Sequence, residues 1–345
     1  MIRKAGDSNS PTRTVLRNSY AFGPHQDAHY VAARAAISLA IPLLVLYMID
    51  RSDLAMYASF GAFAAIYGRY DTYANRFRMQ ASAGLAIVLS MLAGTTLSIV
   101  DAANWVKVLG VGLIAGLVTL ISFRLGWRPT GPVFTVFSAG ACAMIPAEPS
   151  SYWHVLLVGG GAVLFSLAVT GTLALRQISI RQLFQTSPSA ALQQNHWINT
   201  ITITIAALLS GWAGLVLFDD HWYWAMVAAI AVLTGANIHA RLTRGVQRFL
   251  GTVIGVVFAA ALMALDIPVI VILVIAIVCQ GVIELLILRN YAAAMIFITI
   301  IALLMVNMAS PTSASTIIRD RVLETLLGVA IGMATTIAVQ FIDLE

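Results

Sequence analysis

The chain has 345 residues, 60% of them hydrophobic and only 10% charged. A soluble domain carries roughly 25% charged residues, so a water-soluble fold is excluded: it could not hide this much apolar surface. The net charge of +5 comes from Lys and Arg placed singly or in small groups between apolar runs, with no basic stripe and no zinc motif, which excludes a nucleic-acid reader.

Residues 1–27 are polar, carry Arg3, Lys4, Arg13 and Arg17, and lack the apolar core of a secretory leader. They read as a flexible cytoplasmic tail. Apolar runs then follow at 32–49, 53–68, 79–100, 104–123, 131–146, 152–174, 197–217, 222–239, 247–265, 267–288, 291–309 and 316–342. A spanning helix needs about 20 apolar residues. The pattern predicts an all-α integral membrane protein of about twelve transmembrane helices, with 53–68 and 131–146 short for the task. The polar stretch 176–196 is expected to be a cytoplasmic connector between a first six-helix half, 28–175, and a second, 197–345.

Orientation follows from the positive residues. If every run crosses, sixteen of the twenty Lys and Arg fall on the side of the N-terminus, and only Arg51, Lys107, Arg319 and Arg321 on the other. The turns of that other side carry acids: Asp50, Asp53, Asp101, Glu148, Asp219, Asp220 and Asp266. Both termini are therefore expected in the cytoplasm, with the chain in the bacterial plasma membrane. Cys142 and Cys279 lie inside apolar runs and read as packed free thiols.

A repeat runs through the second half. Arg248-x-x-Gly251-Thr252-x-x-Gly255 and Arg321-x-x-Glu324-Thr325-x-x-Gly328 share one pattern 73 residues apart. Three predicted helices separate them, and an odd number inverts the direction. This predicts an inverted three-plus-three repeat within the half, with Arg248 at the inner face and Arg321 at the outer. A fainter echo in the first half sets Arg78 and His154 at the matching positions, an offset of 167–170 residues, and predicts two parallel halves.

These residues carry a resemblance. Trp224-Ala225, Arg241, Arg244, the two Arg-Thr-Gly motifs, Tyr291 and Phe297-x-Thr299 resemble the fusaric-acid-resistance-like (FUSC), or aromatic acid exporter, family. The likeness is strongest over 197–342 and weaker over 28–175. It implies export of aromatic or other small organic acids, often driven by the proton gradient. Many such proteins carry a large cytoplasmic domain after each six-helix block, where this chain has the short connector. The partners expected are the lipid bilayer, an organic-acid substrate, and a second copy or an accessory efflux subunit.

The candidate substrate-binding residues are Arg321, Glu324, Arg248, Thr252, Tyr291 and Asn307. An arginine fork suits a carboxylate. The plainer reading of Arg321 and Glu324, three residues apart, is a salt bridge that fixes one helix. Arg241, Arg244 and Arg248 could attract anions to an inner vestibule, although membrane topology alone accounts for them. Glu284 stands as the lone acid deep in a span, with Gln280 on the same helical face. An acid there suits proton coupling; the competing reading is a pair with Arg289. Trp222, Tyr223, Trp224 and Trp153 read as an interfacial aromatic belt, and the Gly-x-x-x-Gly spacings as close helix packing.

No nucleophile triad, metal-ligand cluster, Walker loop or dinucleotide fingerprint is present. The chain is expected to be no enzyme and to need neither cofactor nor metal. Two rivals remain for the fold and the mechanism. One is a major-facilitator transporter, faintly suggested by Gly68-Arg69-Tyr70-Asp71; the other is a passive organic-anion channel.

Overall fold

The computed structural model describes Gly23 and residues 28–183, 191–218, 221–265, 267–309 and 314–342. The rest of the N-terminal tail, residues 184–190 of the connector, and the turn acids Asp219, Asp220 and Asp266 lie outside the described residues.

Each predicted run falls on a helix. In chain order these are α1 (Ala28–Met48), α2 (Ser52–Ile66, with 3-10 turns at both ends), α3 (Tyr73–Ile99), α4 (Asn104–Leu125), α5 (Val133–Met144) and α6 (Ser151–Leu175, with one π turn). After the connector come α7 (Gln194–Phe218), α8 (Tyr223–Leu233), α9 (Ile238–Met263), α10 (Val269–Leu286), α11 (Tyr291–Ala309) and α12 (Ala314–Ile342). Among the described residues nine of these are long and apolar enough to cross a membrane, while α2, α5 and α8 are shorter apolar helices. The chain is a helical, multi-pass membrane protein.

The outward faces explain the composition. Leu113 and Leu117 on α4, Leu164 on α6, Val257 and Phe258 on α9, and Val274 and Val278 on α10 all point out of the bundle. Water would penalise such a continuous apolar exterior; lipid does not. Cys142 and Cys279 are buried and free, as the sequence suggests.

Helix pairing follows a two-fold rule. α1 packs on α10 as α7 packs on α4; α3 pairs with α5 as α9 does with α11; α2 pairs with α6 as α8 does with α12. Shifting every helix number by six, up or down, turns one pair into the other. The turns before α3 and α9 match as well. Arg76 donates from Nε to the Gly68 carbonyl (2.9 Å), and Arg241 donates from Nε to the Gly235 carbonyl (3.1 Å). Arg76 and Arg241 are 165 residues apart and Gly68 and Gly235 are 167 apart, close to the offset of the echo in the sequence.

The glycines of the second-half repeat let helix backbones touch. A Cβ on Gly251 would collide with the Ala292 carbonyl oxygen, and one on Gly328 with the Ala225 carbonyl oxygen. Gly160, by contrast, has open space around it. Gly328→Ala should therefore lower the unfolding temperature in detergent, by an amount equivalent to about 1–3 kcal/mol of overpacking. Gly160→Ala should leave it unchanged or raise it, because alanine favours a helix. Equal melting of the two variants would show that α8 and α12 do not meet at Gly328.

Candidate functional site

The arginines of the second half sit deeper than hydropathy suggests. The side chain of Asn237 accepts the Ala240 N–H (2.9 Å) and caps α9 at Ile238. The helix thus starts well before the apolar run at 247, and Arg241, Arg244 and Arg248 ride on it. Arg248 is ten residues past the helix start, or about 15 Å along the axis at about 1.5 Å per residue. Arg321 is likewise seven residues past the start of α12. Both are buried. The expectation that they mark opposite faces is corrected: each lies more than a turn inside its helix, and both line one interior cavity.

That cavity has a volume of about 410 Å³ and lies between elements of the first and second predicted halves. Pockets for small organic ligands span roughly 300–1,000 Å³. One wall is aromatic and apolar, with Phe63 of α2, Phe134 and Phe137 of α5, and Ile298 and Ile301 of α11. Five arginines line it, Arg69, Arg128, Arg244, Arg248 and Arg321, against two acids, Asp71 and Glu284.

At the deep end, Arg248 donates from Nη1 to the Tyr291 hydroxyl (3.0 Å), and the Arg244 guanidinium lies 4.5 Å over the Tyr291 ring. The Arg321 guanidinium lies 5.0 Å from the centre of the Trp224 ring. Arg248 stands close enough to Arg321 for the two charges to repel. The Nε atoms of Arg244, Arg248 and Arg321 are buried and have no hydrogen-bond partner among the described residues. Glu324 stands beside them and accepts the Ala225 N–H (3.2 Å). Arg321 and Glu324 do feel each other's charge. Glu324 is fully buried too, so Glu284 is not the lone deep acid.

Three buried aromatic side chains follow beyond Arg321. Trp222, Tyr223 and Trp224 are buried at 0%, 2% and 0% exposure, which overturns the belt assignment for these three; Trp153 is exposed, at 65%. His221 stacks on Trp224 (4.6 Å between ring centres) and meets the Asp320 carboxylate at 3.1 Å.

The other end is open, where Tyr70, Arg128 and Leu288 are exposed. Here Arg69 forms an ion pair with the Glu284 carboxylate and donates from Nη1 to the Glu284 carbonyl (2.9 Å). Gln280 donates from Nε2 to the same carboxylate (3.1 Å). Arg69 belongs to the first half and Glu284 to the second, so the pair bridges the halves. Arg289, the partner weighed from the sequence, donates instead to the Gly23 carbonyl (3.2 Å). Arg69 is aimed inward by a locked turn. Gly68 has φ +70° and donates its N–H to the Arg128 carbonyl (2.7 Å), while Arg76 holds the Gly68 and Asp71 carbonyls, both at 2.9 Å. Arg128 pairs with Asp71 at 3.2 Å.

Of the residues singled out from the sequence, Arg248, Arg321, Tyr291, Glu284 and Gln280 line the cavity. Thr252 and Glu324 are fully buried behind it, and Asn307 is half-buried farther along α11. Sequence reasoning missed Arg69, Asp71, Arg128 and the three phenylalanines. The signal for the first two was Gly68-Arg69-Tyr70-Asp71, a turn that carries a charge pair next to a glycine.

Fold and site together define a helical membrane protein with a cationic cavity among its helices. Its relatives narrow this class. The model of the family described as fusaric acid resistance protein-like matches residues 201–335, from within α7 to within α12. The chain is also 34% identical over 115 residues to the uncharacterized membrane protein YvaC of Bacillus subtilis (strain 168). That match covers 33% of this chain and 18% of the relative, so the chain spans less than a fifth of the relative's length in it. No solved structure matches.

The Arg69–Glu284 pair is the most testable contact of the site. Both side chains are almost withdrawn from solvent, at 10% and 2% exposure. Removing one partner of such a pair costs about 3–5 kcal/mol, because the other charge is left buried alone. Arg69→Met and Glu284→Gln should each lower stability in detergent, and the double variant should recover most of the loss. Additive losses in that cycle would show that the two residues act independently.

Proposed function

We propose that the chain is a secondary transporter that exports small organic anions, aromatic acids foremost, across the bacterial plasma membrane. The observation that carries this reading is the cavity itself. It puts three guanidinium groups, those of buried Arg248 and Arg321 and of half-buried Arg244, at one end of an aromatic-walled space, and that is complementary to an anion with an apolar body. The match of residues 201–335 to a fusaric acid resistance protein-like family supports the same substrate class. The two-fold pairing of helices supports two six-helix halves and twelve crossings, with α2, α5 and α8 as the short ones. In that arrangement the turns at the cavity mouth share a side with both termini, and the positive bias of the sequence makes that side the cytoplasm.

In this reading an anion enters from the cytoplasm past Arg69 and Arg128 and settles against Arg248 and Arg321. Glu284 is the proton-coupling group. A proton on its carboxylate would cancel the charge that holds Arg69, and with it the ion pair between the halves. Transport through such a pair is a population shift, biased by one proton and one anion.

The test is flux in liposomes. Purified protein should accumulate hydroxybenzoate against its gradient when a pH gradient is imposed, and should lose accumulation when the gradient is collapsed. Glu284→Gln should still equilibrate hydroxybenzoate but no longer concentrate it. Arg321→Lys, which keeps the charge and loses the planar fork, should weaken transport roughly tenfold, in line with the loss of about 1.4 kcal/mol; Arg321→Ala should weaken it further. Concentrative transport at the normal rate by Glu284→Gln would remove Glu284 from the coupling step. Unchanged affinity in Arg321→Ala would remove Arg321 from the binding site.

A further inference from the structure

We infer that the anion this cavity takes carries two negative charges at one end of its apolar body. The inference rests on the proposed transport of organic anions and narrows the substrate to a doubly charged head group, such as a vicinal aromatic dicarboxylate. It is argued from charge balance. At the mouth, Arg69 is matched by Glu284 and Arg128 by Asp71. At the deep end three arginines, Arg244, Arg248 and Arg321, stand with one carboxylate, Glu324. Asp320 meets His221 and does not line the cavity. Among the described residues the deep end therefore holds an excess of two positive charges.

Buried charge persists where it is paired. Aromatic faces and the Tyr291 hydroxyl soften the cost of these cations but carry no full negative charge. A monocarboxylate would leave one guanidinium uncompensated. A head group with two negative charges balances all three together with Glu324. The three Nε atoms without partners among the described residues supply further donors at the same end. Beyond this cluster the walls turn to Phe63, Phe134 and Phe137, so both charges belong on the same end of the ligand, with the ring facing the aromatic wall.

The experiment compares benzoate with phthalate, which share a ring and differ by one adjacent carboxylate. Binding to the purified full chain is measured near neutral pH, where both phthalate carboxyls are ionised, at constant ionic strength. Phthalate should bind at least tenfold more tightly than benzoate, which is about 1.4 kcal/mol. Arg244→Gln removes one positive charge and should bring the ratio toward unity. Glu324→Gln removes a negative charge while keeping an acceptor for the Ala225 N–H, and should widen the ratio. The two variants move the ratio in opposite directions, a pattern that a general loss of folding does not produce. Equal binding of benzoate and phthalate to the unaltered protein would overturn the inference and leave organic-anion transport standing. Chloride competing as well as phthalate at equal concentration would also overturn it, by showing a site for small inorganic anions. Failure of both aromatic acids to bind at all would overturn the inference and the transport reading together.

Discussion

Burying guanidinium charge inside an apolar bundle is the constraint around which this protein is organised. Each deep arginine has a local answer to it. Arg34 on α1 donates to the Ala65 carbonyl (3.3 Å), at the point where α2 unwinds. Arg69 has Glu284; Arg248 has a phenol; Arg244 and Arg321 lie over aromatic rings. A guanidinium is weakly hydrated and flat, so it can exchange water for a ring face at a cost an ammonium could not match. This is consistent with the choice of residue: all five basic side chains of the cavity are Arg, and the chain's buried Lys107 lies elsewhere, on α4.

The architecture follows from that requirement. Arg248 and Arg321 start from the same sequence motif on α9 and α12 and converge on one space. The first half offers no matching charges there. At the deep end it contributes phenylalanines instead. The helix pairing is two-fold, yet the deep end is polarised: Arg244, Arg248 and Arg321 come from the second predicted half and Phe63, Phe134 and Phe137 from the first, while Arg69 and Arg128 line the mouth. A symmetric scaffold with an asymmetric lining can hold one amphipathic ligand in one orientation; a symmetric lining would offer two.

Much of the fold was legible in the sequence because lipid makes hydropathy decisive: every apolar run became a helix. The shortfalls have physical causes. The start of α9 was placed late because residues 238–248 are polar, and hydropathy cannot see that Asn237 caps a helix whose polar face lines a cavity. Trp222, Tyr223 and Trp224 resemble an interfacial belt in composition, but their turn folds inward and plugs the bundle. Glu284 stood out as a lone acid in an apolar run. Its partner could not be read from spacing, because Arg69 lies 215 positions away and reaches it only through the turn that Gly68 and Arg76 shape. Arg248, Arg321 and Tyr291 were visible as a motif; their convergence on one cavity was not, since distance between helices is not written in periodicity.

The two ends of the cavity are built from different kinds of contact. At the mouth, the halves are joined by an ion pair and its hydrogen bonds, which side-chain rotation and one proton can undo. At the deep end, α8 and α12 touch backbone to backbone, with Gly328 against the Ala225 carbonyl and Gly332 against that of Ala229. Trp222, Tyr223 and Trp224 sit wedged above them. No rotamer change opens such a contact. α8 also packs on α5, so a shift of α8 against α12 would disturb its contact with the helix that carries Phe134 and Phe137 of the cavity wall.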